Sequence, residues 1–199
     1  WLDNTLDIRE TANWDMQDID YDIQIMDSPH DVRNIILEKN VASNNKARLL
    51  AGYCWDWPKA GRNKTTEPDI IIGDFKMSWN LENTSTFAID ENSVNEIGCI
   101  HSSQGLEFDY VGVIIGEDLR YEDGKVVTDF TKRAKTDQSL KGIKKLHKEN
   151  PEKAQKAADE IIKNTYRTLM TRGMKGCYVY CVDENLSEYL KSSIGKEEE

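Results

Sequence analysis

Apolar and polar positions alternate along the chain in patterns that predict strands and helices in turn. Residues 21–26 alternate with the period of a strand, and Ser28 followed by Pro29 is a typical helix start, so a helix is predicted from there to about Lys39. A buried strand is predicted within residues 45–54, after a polar turn. Together these segments predict one β-α-β unit.

The later part of the chain has stronger periodicity. An unbroken apolar run at 110–116 predicts a central parallel strand that is buried on both faces. Apolar residues at helical spacing predict a long helix over 151–170, followed by a strand at 177–182 and a closing helix at 186–194. Residues 55–95 are rich in turn residues and predict irregular strands. The alternation of strands and helices favours an α/β domain with a mainly parallel sheet.

The distribution of charged residues suggests where the domain begins and ends. Residues 1–30 carry eight acids and one base, so we expect residues 1–20 to be an acidic lead-in that lies over the surface. The domain itself is expected to span 21–194, with a charged insertion at about 117–150. Residues 195–199 are expected to be a charged, solvated tail.

Composition narrows the class of protein. The length of 199 residues and the hydrophobic content of 38% suit one domain with a real core. The formal net charge of −10 repels a phosphate backbone, unless basic residues are gathered locally. No apolar run approaches the ~20 residues that cross a bilayer, so we expect a soluble, cytoplasmic protein without membrane contact. The chain opens on Trp1 rather than Met, which suggests a fragment of something longer.

Basic and aromatic residues in this acidic chain admit two interpretations. Residues 131–163 hold ten basic and five acidic residues. Several of the basic residues either bind the phosphates of a nucleic acid or form solvated helix faces: Lys132, Arg133, Lys135, Lys141, Lys144, Lys145 and Lys148. Similarly, Trp55, Trp57 and Trp79 either stack on nucleobases or belong to the core.

The four cysteines form no Cys-x-x-Cys pair and there are only three histidines, so we expect buried reduced thiols and no metal site.

The first segment with candidate chemistry is the loop at 100–109, Ile-His-Ser-Ser-Gln-Gly-Leu-Glu-Phe-Asp, which lies between two predicted buried strands. Small hydroxyls, a glycine that lets a ligand approach the backbone, and a fixed acid suit contact with a nucleotide or a phosphate. The alternative is an ordinary polar turn, in which His101 is a structural histidine.

The second segment is 166–176, Tyr-Arg-Thr-Leu-Met-Thr-Arg-Gly-Met-Lys-Gly, which ends the long helix and leads into a strand. An arginine held by a rigid helix can reach across an interface and stabilise charge on a transferring phosphoryl group. The alternative is a cation that satisfies the carbonyl end of its own helix.

Taken in order, the two segments resemble motifs V and VI of superfamily 1 helicases, and the chain is similar to the Schlafen group 3 type of DNA/RNA helicase domain. Residues 47–57 also resemble that family near motif IV, and the resemblance runs over 21–189. It implies the second RecA-like domain of a two-domain motor, with a three-layer fold of the P-loop NTPase type. In such motors ATP sits between the domains and nucleic acid runs across both.

The resemblance also implies roles for particular residues. It places Gly105 near the phosphates and Glu107 near the nucleotide sugar, makes Arg172 the arginine finger, and makes Arg48 the motif IV arginine at the ATP site. The residues that it implies for coupling the ATP site to nucleic acid are His101, Ser102, Ser103, Gln104 and Thr171.

The sequence lacks parts of a complete motor. No stretch supplies the Gly-x-x-x-x-Gly-Lys-[Ser/Thr] loop that cradles phosphates, and no convincing strand-borne Asp-Glu pair is present to hold Mg²⁺. We therefore expect this chain alone to bind ATP weakly at best and not to hydrolyse it. ATP and Mg²⁺ are expected in the full-length protein, whose N-terminal RecA-like domain would be a partner together with DNA or RNA.

The leading hypothesis is therefore the C-terminal motor domain of an ATP-dependent DNA or RNA helicase or translocase. A second hypothesis is a non-catalytic module that binds nucleic acid or protein and keeps the helicase fold. A third is an independent small-molecule enzyme that uses the loop at His101, which is disfavoured because no acid-base pair or nucleophile accompanies that histidine.

Overall fold

The computed structural model describes residues 1–8, 21–56, 68–79, 87–105 and 107–195. Its helices and strands follow one another as α1 (Leu2–Thr5), β1 (Asp22–Ile25), α2 (Pro29–Ala42), β2 (Ala47–Ala51), β3 (Ile70–Ile72), β4 (Phe75–Met77), β5 (Ile97–Gly98), β6 (Phe108–Ile115), β7 (Leu119–Glu122), β8 (Lys125–Thr128), α3 (Ile143–Glu149), α4 (Pro151–Met170), β9 (Gly173–Cys181) and α5 (Glu184–Gly195).

Five strands form one sheet in the order β1-β9-β6-β2-β5, and every neighbouring pair runs parallel. Helix α2 packs on one face of the sheet, and α4 and α5 pack on the other. The predicted α/β fold with a mainly parallel sheet is therefore confirmed, and its three layers are those of a RecA-like domain.

Strand β6 carries the core on both of its faces, as the unbroken apolar run predicts. Val111 and Val113 belong to the cluster under α4, while Ile114 belongs to the cluster under α2. Gly112 also faces α2, because a Cβ atom built there would lie 2.7 Å from Val32 Cγ1. Only glycine therefore lets α2 approach the sheet this closely.

The predicted start of α2 is also confirmed. The Ser28 hydroxyl oxygen accepts from the His30 backbone N–H at 3.1 Å, and Pro29 is the first helical residue. The helix continues past its predicted end to Ala42 and stops where the asparagines at 44–45 adopt φ values of 54° and 68°. Asparagine tolerates this left-handed backbone better than most residues, so these positions set the helix end.

The predicted long helix is confirmed as α4, which begins where the Asn150 side chain accepts from the Lys153 backbone N–H at 3.0 Å. Strand β9 begins earlier than the apolar pattern predicts. Its first residues include Gly173 and Gly176, where a Cβ atom would lie 2.2 Å and 2.5 Å from backbone oxygens. The close packing that requires glycine there interrupts the apolar pattern.

Two antiparallel hairpins were not predicted as such. Strands β3 and β4 pair within the segment predicted to hold irregular strands, and β7 pairs with β8 inside the charged insertion. The turn between β7 and β8 is Asp123-Gly124, with φ values of 50° and 80°. Asp-Gly is a characteristic pair for such a two-residue turn, so the sequence does hold a signal for this hairpin.

All four cysteines are free thiols, and Cys99, Cys177 and Cys181 are buried. Burial raises the pKa of the Cys177 thiol, as it does for Cys181, so both stay protonated at neutral pH. Across the described ranges, none of the helices combines the length and apolar character that a membrane crossing requires.

Candidate functional site at the amino-terminal edge of the sheet

Both segments with candidate chemistry lead into neighbouring parallel strands. Because parallel strands begin at the same edge of a sheet, the residues before β6 and β9 lie together. Phe108 pairs with Gly173 in the ladder, and its N–H donates to the Arg172 carbonyl at 3.0 Å. Gly105 lies three residues before Phe108 and therefore within about 11 Å of it. We call this region the amino-terminal edge; it brings Gly105 and Glu107 close to Arg172.

The end of the loop presents its backbone openly. Gly105 is exposed with a φ of 71°, and, its chain neighbours aside, no heavy atom of the described residues lies within 4 Å of the position a Cβ atom would take. The side chains of Gln104 and Glu107 are also exposed. A ligand can therefore approach the backbone here and meet a carboxylate beside it.

The two serines of the loop bond to its own backbone instead of facing the solvent. Both are buried, and the Ser102 hydroxyl oxygen accepts from the Cys99 N–H at 2.7 Å. The Ser103 hydroxyl donates to the Cys99 carbonyl at 3.0 Å. These bonds hold the turn itself, so of the predicted coupling residues in the loop only His101 and Gln104 present accessible side chains.

Arg172 follows directly after the end of α4. The Thr171 N–H and hydroxyl both donate to the Arg167 carbonyl, at 3.0 Å and 2.9 Å, and close the helix. Arg167 forms an ion pair with Asp3. Arg172, in contrast, forms no ion pair with any described residue, and its buried Nε atom has no hydrogen-bond partner among them. Within that part of the chain, no hydrogen bond or ion pair commits its guanidinium group to a structural role.

Arg48 lies in the interior on β2 and its side chain is fully buried. Burial lowers the pKa of Arg48 to about 10, which leaves it cationic at neutral pH. All three guanidinium nitrogens donate at 2.7–3.1 Å to oxygens of Asn40, Asn45, Ala47, Phe87, Ala88, Asp90 and Ser93. This guanidinium is enclosed by its own domain, and the structure does not expose it beside Arg172 or Gly105.

The amino-terminal edge also exposes large apolar side chains. Val41 in the last turn of α2 is 85% exposed, Ile89 is 73% exposed, and Met174 at the start of β9 is 58% exposed. The Ile89 carbonyl accepts from the Asn45 side chain at 3.0 Å, just before β2, which places it at the same edge. Three such residues at one edge suit contact with another protein surface.

A buried polar network at the opposite edge of the sheet was missed by the sequence analysis. The Tyr166 hydroxyl of α4 donates to the Asp118 carboxylate at 2.5 Å and accepts from the Gly116 N–H at 3.0 Å. Arg133 donates to the same carboxylate at 3.0 Å and to Asp137 at 2.7 Å. The network joins three segments that are far apart in sequence, at 116–118, 133–137 and 166, and none of them forms a motif, so no sequence signal identifies it.

The network changes the interpretation of the basic insertion. Arg133 is not available to phosphates, because its side chain is 3% exposed and paired with two carboxylates. Lys132 is paired with Glu117 at 2.7 Å. The lysines at 135, 141, 144, 145 and 148 are exposed.

The tryptophans also differ in how far they are buried. Trp79 is fully buried and packs edge-on against Tyr53 with 4.5 Å between ring centroids, so it belongs to the core rather than to a stacking surface. Trp55 is half-buried. Trp57 lies outside the described residues.

The family follows from comparison with known proteins. The family model for the Schlafen group 3, DNA/RNA helicase domain, matches residues 1–183. The chain belongs to this family. It is also similar to an uncharacterized protein of Saccharomyces cerevisiae, with 27% identity over 174 residues, which is 85% of this chain and 36% of that protein. The chain thus spans about a third of the length of this curated relative. No solved structure matches the chain.

Proposed function

We propose that this helicase-family domain is the C-terminal motor domain of an ATP-dependent DNA or RNA helicase or translocase. In this proposal an N-terminal RecA-like domain supplies the phosphate-binding loop and the Mg²⁺ ligands. The domain described here supplies Arg172, and the amino-terminal edge faces the nucleotide. The proposal depends above all on the closeness of Arg172 to Glu107 and Gly105, which follows from the bond that the Phe108 N–H donates to the Arg172 carbonyl.

The residues at this edge fit one side of an ATP molecule. The exposed backbone at Gly105 suits phosphate oxygens, the exposed Glu107 carboxylate suits sugar hydroxyls, and Arg172 has a buried nitrogen that lacks a partner among the described residues. The described residues contain no cluster of three potential metal ligands, and in this proposal the other domain holds the Mg²⁺. ATP bound with Mg²⁺ would supply the phosphoryl group that is transferred to water.

Arg172 would stabilise the negative charge that develops during this transfer. An arginine is suited to this because its planar guanidinium is always charged and donates in a fixed fork. Its backbone is held by the ladder between β6 and β9, so the side chain starts from a defined position. The exposed apolar residues Val41, Ile89 and Met174 would contact the other domain when the two close.

The proposal is tested in a protein that joins this chain to its N-terminal RecA-like domain. Arg172→Ala should lower kcat for ATP hydrolysis by about 10³- to 10⁵-fold, the range that arginine fingers contribute. Arg120→Ala, which removes a guanidinium paired with Glu122 and Asp129 on the β7-β8 hairpin, is the matched control and should leave kcat within about threefold.

Equal turnover for Arg172→Ala and the control would remove Arg172 from the reaction. If the preceding domain lacks the phosphate-binding loop and the joined protein shows no ATP turnover, the alternative is favoured, namely a non-catalytic module that binds nucleic acid or protein.

A further inference from the structure

A strongly basic surface lies where α3 meets the first turns of α4. Residues 141–156 carry six lysines and two glutamates, a net charge of +4. Since the whole chain has a net charge of −10, the remaining residues together carry −14. All six lysines are exposed, and we call them the lysine ridge: Lys141, Lys144, Lys145, Lys148, Lys153 and Lys156. The charge of this surface is therefore opposite to that of the remainder of the molecule.

The packing of α3 holds the ridge in place. Ile143 is buried and Leu146 is partly buried against the core cluster, which leaves the lysines on the outer side of the helix. Asn150 both ends α3 and caps α4, so the lysines of the two helices belong to one continuous surface. The ridge is thus part of the folded domain rather than a tail.

The lysines of the ridge are almost unpaired within the described structure. Only Lys145 has a carboxylate nearby, that of Glu149 at 3.9 Å, and both groups are exposed. Lysines elsewhere, such as Lys39 and Lys175, form ion pairs at 3.0 Å and 2.8 Å. Like charges one helical turn apart destabilise a helix by about 0.2–0.5 kcal/mol per pair. A bound polyanion would remove this repulsion.

We propose that the lysine ridge binds the phosphate backbone of DNA or RNA. Flexible, strongly hydrated ammonium groups suit a row of phosphates, and none of the exposed large apolar residues lies within 141–156, which disfavours insertion into a lipid surface. The choice of nucleic acid over another polyanion rests on the proposed function. Because charge is screened over about 8 Å at physiological salt, the acidic remainder does not cancel the attraction at the ridge.

The ridge is separate from the amino-terminal edge. Helix α4 has 20 residues, with lysines of the ridge in its first turns and Arg172 just beyond its last. At 1.5 Å per residue it spans about 30 Å. Substitutions in the ridge therefore leave the candidate nucleotide site intact, so the two proposals are tested independently.

The test is a salt titration of oligonucleotide binding by the purified chain, followed by fluorescence anisotropy with a labelled 20-nucleotide single strand as the probe (a length of about 20 exceeds one binding site). The variant is Lys144→Gln, Lys145→Gln and Lys148→Gln together. Loss of three phosphate contacts should reduce the slope of log K against log [salt] by about 2, since each contact contributes about 0.7 for single strands. The control with the same change of charge is Lys76→Gln, Lys125→Gln and Lys191→Gln, whose lysines are outside the ridge.

The expected result is a lower slope and weaker binding for the ridge variant alone, with circular dichroism melting curves unchanged. Equal slopes for the ridge variant and the control would overturn the proposal. So would displacement of the oligonucleotide by polyglutamate at equal charge concentration, because that would identify acidic polypeptides as ligands. No ATP is present in this assay, so failure of the motor proposal would appear in ATP turnover and not here.

Discussion

The buried hydroxyl of Tyr166 offers the sharpest test of how the long helix is fixed to the sheet. Burial and then the charge of Asp118 raise the pKa of Tyr166 far above its usual value, so the hydroxyl stays protonated and donates. Tyr166→Phe removes the donor to Asp118 and the acceptor for the Gly116 N–H, both of which are buried. The Gly116 N–H is left without a partner, which costs about 1–3 kcal/mol, whereas Asp118 loses one hydrogen bond worth about 1.5 kcal/mol and keeps the bond from Arg133. We therefore expect the free energy of unfolding to fall by about 2.5–4.5 kcal/mol.

Urea unfolding followed by circular dichroism measures this loss. The matched control is Tyr189→Phe, which removes a half-buried hydroxyl that donates to the Thr5 carbonyl at 3.1 Å and should cost about 0.5–1.5 kcal/mol. If Tyr166→Phe is no more destabilising than this control, the network does not anchor α4. A native free energy of unfolding in the usual range of 5–15 kcal/mol leaves the variant measurable.

Two further predictions concern stability. Burial raises the pKa of Asp22, but hydrogen bonds from Tyr178 and Lys39 outweigh this effect and lower the pKa overall. The stabilising contribution of Asp22 is therefore present above about pH 4, near the usual pKa of aspartate, and is lost as the pH falls through the lowered pKa. Asp22→Asn should therefore destabilise the protein at pH 7 in urea titrations, and the difference from the wild type should shrink below pH 4; a constant difference would contradict this. Gly98→Ala should cost about 1–3 kcal/mol, because the added Cβ would lie 2.5 Å from the Phe87 ring, and an unchanged unfolding midpoint would show that the ring can move away.

Periodicity predicted the layers of this fold because each layer leaves a direct signature. The unbroken apolar run of β6 reflects burial on both faces, and Ser28-Pro29 marks a helix start by local chemistry. The hairpins were harder, since β3 and β4 have three residues each and their pairing is a property of the tertiary structure. Such short strands carry too few positions for alternation to show.

Motif resemblance located the candidate site, and the structure added what each residue is free to do. A serine that binds a ligand and one that closes its own turn are identical in sequence, yet Ser102 and Ser103 are buried in the turn. Arg48 and Arg133 are likewise ordinary arginines in the sequence, and only the packed structure shows their partners. Side-chain accessibility depends on contacts across many residues, which local patterns do not contain.

The central claim is that the amino-terminal edge faces the nucleotide, and the position of the bound sugar tests it most directly. An ATP analogue that carries a photoreactive group on its ribose would be irradiated with the protein that joins both RecA-like domains, and the labelled peptides would be mapped by mass spectrometry. We predict labelling of the peptide around Glu107 that disappears with excess ATP. Labelling confined to the opposite edge of this sheet, at the peptides containing Tyr53 or Glu117, would contradict the account.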